Sequence, residues 1–438
     1  MRAIRSNDKA WDVRRRASRF ALGVAVIVAA ACAGGCKHTS SAANPVFELQ
    51  PRPVLKAAGI SSTWDPRISV DTAGGLYLFT VYEDGSNSRL GVSRSESGGD
   101  TFDSQIVPIS EPRVSISSHG EQSPSAVTTI SGIFALWQEQ AAGGASKIMA
   151  ARSVNWGESF EKPVQVSDAQ AASFRGFPSI AVSPNGDVYA TWLDERDMSP
   201  ASKEEDSSYV YLAKSSDHGA SFGSNVRVGD HTCPCCRPSL AFGPKGEVYV
   251  AWRRVFPGQK RDMVVSTSVD GGRTFADPVR VNSDGWKIEG CPDSGPTLVE
   301  SGSNLWIAWM TAGNNNLARI YVSSSVDGGH SFRAPVLASG DVLDPNHPSW
   351  QSGAPGTLWL VFQGRAPSAT GSWSQNQAFL TRVASDGTAS VPFAIPGSET
   401  SVAYPRVALG YGGQMYVAWT QSDGGHFIVM LSRGRVKG

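Results

Sequence analysis

Apolar and polar residues alternate in short runs along nearly all of the chain beyond residue 45, and clusters of Gly, Pro, Asn and Asp separate the runs. A period of two is the signature of half-buried β-strands, and no stretch beyond the first 35 residues shows the 3.6-residue period of an amphipathic helix. In "FPSIAVSPNGDVYATW" (177–192), the run after the proline and the aromatic-rich run "VYATW" are joined by "SPNGD", so the segment predicts a hairpin of two antiparallel strands.

The same arrangement recurs. It begins with "DPRISVDTAGGLYLF", "SPSAVTTISGIFALW" and the segment above, then continues through "RPSLAFGPKGEVYVAW", "GPTLVESGSNLWIAW", "HPSWQSGAPGTLWLVF" and "YPRVALGYGGQMYVAW". The prolines of this series are Pro66, Pro124, Pro178, Pro238, Pro296, Pro348 and Pro405, spaced 52 to 60 residues apart, which makes seven units. A second series runs in step with it: "SESGGDTF" (95–102), "SVNWGESF" (153–160), "SSDHGASF" (215–222), "SVDGGRTF" (268–275) and "SVDGGHSF" (325–332), with a worn sixth version in "VASDGTAS" (383–390). Each octet is expected to join the third strand of its unit to a short fourth strand. One such sheet cannot bury both faces alone, so the units must stack. The expected fold is all-β, a seven-bladed β-propeller of four-stranded antiparallel blades. "VFELQ" (46–50), which precedes the first proline motif, is expected to close the ring against the unfinished last unit, "HFIVMLSRGR".

The octet S-x-[D/N/S]-x-G-x-[S/T]-F resembles the Asp-box, or BNR repeat, of the sialidase superfamily, and the five good copies extend that resemblance over nearly all of residues 46–438. The resemblance implies that the octets are structural turns, so Asp270 and Asp327 are expected to be architectural. It also implies a glycan-related site built from three arginines, a Tyr–Glu nucleophile pair and an aspartate acid/base. The family's Arg-Ile-Pro order is changed here to Pro66-Arg67-Ile68, repeated as Pro405-Arg406-Val407, so the sialidase signature is incomplete.

Residues 1–35 read as a processing segment: the basic "RRRASRF", the apolar "ALGVAVIVAAA" and the small "AGG" before Cys36. This pattern resembles a bacterial lipoprotein signal, with Cys36 as the lipidation site, Cys32 as the alternative, and 36–45 as a tether. It implies an exported protein anchored in the cell envelope, touching the membrane only through its lipid. The chain has 39 basic and 39 acidic residues, and the leader holds seven of the former and two of the latter. The remainder is therefore acidic, which argues against a nucleic-acid partner.

Strand alternation places all octets at one end of the units and the loops before each proline motif at the other, where a channel should open. The residues expected there as catalytic candidates are Arg67, Glu83, Asp194, Glu195 and Arg406. Those expected to bind ligand are Asp65, Glu121, Arg175, Arg237, Asp293, His347 and Tyr404. Carboxylates in such a ring can serve as general acid and base, and arginines can clamp a carboxylate. The run "LDERD" (193–197) opens a long loop that reads as either functional or merely solvated.

"HTCPCCRPS" places Cys233, Cys235 and Cys236 before the fourth proline motif, and "EGCPDSGP" places Cys291 before the fifth. Four cysteines allow three disulfide pairings, one of which contains a vicinal Cys235–Cys236 ring, and a copper(I) or zinc thiolate site with His231 is the alternative. No other cofactor is expected, and the protein is expected to be a monomer. Two functions follow from the sequence. One is a sialidase-like propeller that recognises carbohydrate or protein at its channel face and acts as a glycoside hydrolase. The other is a non-catalytic binding or assembly propeller with a cysteine-rich site.

Overall fold

The computed structural model describes residues 44–48, 50–54, 60–112, 114–140, 145–168, 173–199, 208–354, 356–367 and 374–436. The leader, Cys32, Cys36 and most of the tether lie outside the described residues, as does most of the loop after "LDERD". Among the described residues no helix is long and apolar enough to cross a membrane.

The architecture is an all-β propeller of antiparallel sheets. The first proline-led unit supplies the strands Thr63–Val70, Leu76–Asp84, Asn87–Ser95 and Val107–Pro108 in one sheet. The fifth and sixth units, starting at Thr297–Ser301 and Leu343–Ser352, are also four-stranded. In the second unit Ile116–Ser117 adds a fifth strand beside Gly132–Gln140. In the last unit both Val46–Phe47 and Arg52–Pro53 pair with His426–Arg435, with Val46 opposite Arg435 and Arg52 opposite Leu431.

Among the described residues seven separate sheets do not form. The hydrogen-bonded strands there fall into six, because the third and fourth units are fused into one eight-stranded sheet. The physical reason is local: Val226–Thr232 runs on past its own unit until Thr232 pairs with Arg254 of Val248–Phe256. That single pair joins two otherwise separate ladders.

Stacking between successive units supplies the core. Fully buried side chains form clusters that each draw on two neighbouring units, such as Tyr77, Phe79 and Val92 with Ile133 and Trp137, or Leu193 and Leu212 with Val250 and Trp252. Leu76 and Leu78 of the first unit likewise share a cluster with Tyr416, Ala418, Val429 and Leu431 of the last. The aromatic position of each second strand contributes most, with Trp137, Trp192, Trp252, Trp309 and Trp419 all essentially inaccessible. Burying a side chain of this size contributes about 2–3 kcal/mol or more, so the stacking outweighs any single turn.

The five octets share one set of bonds. The amide at the fifth position donates to the Oγ of the first serine, at 2.8 Å in Gly99–Ser95, 2.9 Å in Gly157–Ser153, 2.7 Å in Gly219–Ser215 and 2.8 Å in both Gly272–Ser268 and Gly329–Ser325. The third side chain accepts the amide of the seventh residue, as Asp270 Oδ1 does from Thr274 N at 3.0 Å and Asp327 Oδ1 from Ser331 N at 2.9 Å. Gly272 has φ +86°, and a Cβ there would lie 3.2 Å from both Leu212 and Tyr189 of the preceding unit, so the turn is moulded to its neighbour. Asp270 and Asp327 thus have all their bonds inside the turn.

Removing the Ser268 hydroxyl leaves the buried Gly272 amide without an acceptor. Ser268→Ala should lower unfolding stability by about 1–2 kcal/mol with an unchanged m-value in urea; a loss within error would show that the octet bond contributes nothing.

Candidate functional site

The site originates in the residue before each proline. Proline cannot donate to the ladder, and the residue before it is pushed away from helical geometry. Asp65, Phe177, His347 and Tyr404 nevertheless sit at φ +51°, +57°, +53° and +53°. The strand register slips at each of these places, between Trp64 and Arg67, Gly176 and Ser179, Asn346 and Ser349, and Ala403 and Arg406. These are bulges, which re-aim side chains, and each non-glycine residue held in this region costs about 1–3 kcal/mol. Gly295 fills the same slot in the fifth unit, where a Cβ would meet the Arg237 carbonyl oxygen at 2.2 Å. Only glycine lets those two backbones approach.

The residue after the proline faces inward in six of the seven units. Arg67, Ser179, Ser239, Thr297, Ser349 and Arg406 line a single cavity of about 270 Å³, together with Glu121 and Arg237. The innermost strands of different units therefore converge on one space, walled by hydroxyls and guanidiniums.

The three arginines are held by neutral oxygens. Arg67 donates to the Pro66 carbonyl at 3.1 Å and Ser123 Oγ at 2.6 Å. Arg237 donates to the Glu121 carbonyl at 2.8 Å and Ser123 Oγ at 2.9 Å. Arg406 donates to the Pro405 carbonyl at 3.2 Å. Among the described residues, none of the three forms an ion pair with a carboxylate. Burial, followed by mutual repulsion, holds the Arg67 pKa well below the usual value. Burial brings Arg237 down to about 10 and also lowers Arg406.

The acids are split. Burial alone would raise Glu121, but His347 Nδ1 at 2.8 Å, with Arg237 and Arg406 beyond, brings its carboxyl down to about 2. Asp293 moves the other way: burial and then the charge of Glu121 push it up to about 6, while its Oδ1 accepts the Glu121 amide at 3.2 Å. Burial also raises Asp65, whose Oδ2 accepts from Ser118, and it raises Tyr404, whose ring meets that of His347 edge-on at 4.5 Å. Near neutral pH the cluster thus holds an ionised carboxylate beside a carboxyl that still takes up protons, the separation that acid/base pairs require.

Of the expected residues, Asp65, Arg67, Glu121, Arg237, Asp293, His347, Tyr404 and Arg406 are brought together. Asp194 and Arg175 belong to another group. Asp194 Oδ2 accepts from Trp192 Nε1 at 2.8 Å and Arg196 Nη2 at 2.6 Å, with Arg175 Nε at 3.4 Å, and Arg196 continues to Asp168 at 3.2 Å. Asp194 is fully buried in this network, which fastens the "LDERD" turn to its strand. Glu195 is half-buried beside it, its amide donating to the Phe174 carbonyl at 3.0 Å. Glu83 accepts from Ser61 at the end of its own strand. Ser123, shared by two of the arginines, was not among the expected residues, although its slot before Pro124 matches that of Asp65, His347 and Tyr404.

The cysteines lie at the opposite end of the sheet from the octets, since Val226–Thr232 runs from the third octet to Cys233. Cys235 and Cys291 form a disulfide with Cα atoms 6.1 Å apart, so the vicinal pairing is not the one adopted. Cys233 and Cys236 are free thiols, buried, with sulfurs 3.4 Å apart. The hydrogen bond from Cys236, with the charges of Arg261 and Arg253, holds Cys233 down to about 7, whereas burial raises Cys236. The sulfurs of Cys233, Cys235 and Cys236 lie within 4.8 Å of one another. His231 is at the rim of a separate surface cleft with Arg254 and Phe256.

No family model and no curated protein sequence matches the chain. Among solved structures it is similar to a protein of unknown function from Dyadobacter fermentans, with TM-score 0.52 and 14% identity over 90% of this chain and all of that one. A Hadza microbial sialidase matches with TM-score 0.47 and 15% identity over 69% of this chain and 63% of its own. A Penicillium chrysogenum α-L-arabinanase matches with TM-score 0.47 and 14% identity over 88% and 99%. At these identities the likeness is one of fold.

Asp293 makes a pH signature. Its folded pKa of about 6 exceeds the ordinary 3.8, so the folded chain binds the proton more tightly and this contribution is lost as pH rises from about 4 through 6. Asp293→Asn should therefore gain on the natural protein by about 1–2 kcal/mol across that window, a value reduced for partial exposure, and hold the gain above it. Glu121 acts oppositely, contributing stability above its ordinary 4.5 that is lost toward pH 2. Urea titrations from pH 4 to 7.5 measure the difference; a pH-independent offset would refute the assignment.

Proposed function

We propose that the protein is an exported, lipid-anchored propeller of the Asp-box type that recognises an acidic carbohydrate in its central cavity. The observation that carries this reading is the set of three guanidiniums, Arg67, Arg237 and Arg406, gathered around one cavity without a carboxylate partner among the described residues. Desolvated cations of this kind are costly unless an anion completes them, and guanidinium pairs carboxylate in a bidentate fashion. The surrounding Ser179, Ser239, Thr297 and Ser349 supply the hydroxyls that a sugar's own hydroxyls require.

In this reading the eight-stranded sheet counts as two blades, the propeller has seven, and Val46–Phe47 closes the ring on His426–Arg435. The bonds from the Asp65 amide to Thr420 Oγ1 (2.9 Å) and from the Val429 amide to Thr63 Oγ1 (3.0 Å) support that closure. Asp293 is the proton donor and Glu121 the ionised partner of a glycoside-cleaving pair, with Tyr404 and His347 fixing the ligand against them. Glu83, Asp194 and Glu195 take no part in that step. No metal or cofactor is required. The acidic mature chain, tethered through Cys36, works alone at the cell envelope.

The test is binding of acidic and neutral oligosaccharides, with released sugar measured in parallel. Acidic glycans should bind, neutral analogues should not, and Arg406→Met should weaken binding at least about tenfold, the worth of one charge-assisted hydrogen bond. Asp293→Asn should abolish release while leaving affinity within about threefold. Equal binding of neutral and acidic sugars would remove the anion site; binding without release by the natural protein would leave a non-catalytic receptor.

A further inference from the structure

We propose that Cys233 and Cys236 are a redox-active dithiol that exchanges with the Cys235–Cys291 disulfide, so that one disulfide moves between two positions within the cluster. The segment Cys233-Pro234-Cys235-Cys236 is a tight turn in which the Cys236 amide faces the Cys233 carbonyl at 3.4 Å. The turn places Cys233 Sγ 3.4 Å from Cys236 Sγ and 3.8 Å from Cys235 Sγ. Cys233 therefore contacts both the sulfur it must attack and the sulfur that must resolve it. Cys233 and Cys236 are inaccessible, whereas Cys291 is exposed.

The charges around the turn favour a thiolate. Arg253 is fully buried, stacked on Trp286 at 4.9 Å, with its Nη2 spent on the Ser294 and Met310 carbonyls at 2.9 and 2.7 Å, and its Nη1 has no hydrogen-bond partner among the described residues. Arg261 is equally buried, with Nε and Nη1 unpartnered among the described residues. Both act electrostatically on Cys233. Two buried guanidiniums oppose a free metal cation but stabilise the anionic nucleophile of thiol–disulfide exchange.

The exchange balances without an outside oxidant. The Cys233 thiolate attacks Cys235 Sγ, the Cys235–Cys291 bond breaks, and Cys291 leaves as a thiolate that takes up a proton from solvent. Cys236, losing its proton, then attacks Cys233 Sγ, the transient Cys233–Cys235 bond breaks, and Cys235 leaves as a thiolate that is protonated in turn. One disulfide is lost and one gained, two thiols are oxidised and two are formed. The product holds a buried Cys233–Cys236 disulfide and an exposed Cys291 thiol, the only one of the four within reach of a partner, which would be a small thiol or a dithiol protein. The covalent tie between the fourth and fifth units is then open two residues from Asp293.

The experiment uses the full chain carrying one disulfide among these four cysteines, reached by limiting phosphine reduction if both pairs are oxidised on isolation. The sample is equilibrated at pH 8, quenched in acid, alkylated and mapped by peptide mass spectrometry. Exchange predicts that at least about one chain in ten carries alkylated Cys291 with a Cys233–Cys236 disulfide, a preference of no more than about tenfold between the isomers. Cys233→Ser, which keeps the Cys235–Cys291 bond but removes the attacking thiolate, should lower Cys291 alkylation at least about tenfold. Two outcomes would overturn the proposal: Cys291 protected throughout in the natural chain, or Cys291 equally alkylated in Cys233→Ser.

Discussion

Proline at the start of each innermost strand is the constraint on which the rest depends. A proline there has no amide to offer the ladder, so pairing with the second strand breaks at that point and resumes one register later. The residue before it is held at positive φ in four units, with a side chain that is not glycine. Stacked aromatic strands on both sides hold these residues in place, and a less rigid scaffold would relax them. The strain and the cluster of ionisable groups thus have one origin.

From this follows the electrostatic character of the centre. Arg67, Arg237 and Arg406 come from different units, and each is tied by carbonyl or hydroxyl oxygens, which orient a guanidinium without neutralising it. The carboxyls are divided by their neighbours, Glu121 against His347 and Asp293 against Glu121. The guanidiniums are thus oriented by neutral oxygens, with the charges of Glu121 and Asp65 acting on them, and the proposed acidic ligand rests on that arrangement.

Much of this was legible in the sequence because it repeats. Period-two runs around Gly-containing turns give the strand pairs, the octets give the third turns, and the slots flanking each proline gave Asp65, Arg67, His347, Tyr404 and Arg406 in advance. What could not be read depends on contacts between distant residues. Nothing in "LDERD" distinguishes an open carboxylate from one already engaged by Arg175 and Arg196. The fusion of two sheets rests on the single pair of Thr232 with Arg254, and the choice among three disulfide pairings rests on which sulfurs the turn brings close. Ser118, which serves Asp65, carries no mark in a serine-rich chain.

The strand His426–Arg435 is bordered on one side by residues made at the opposite extreme of the polypeptide: Arg433 reaches Glu48, 385 positions earlier, at 2.6 Å. During synthesis the segment around Val46 must therefore wait, unpaired, for a partner translated 385 positions later. So great a sequence separation carries a large loop-closure cost, which makes the pairing of this sheet intrinsically slow.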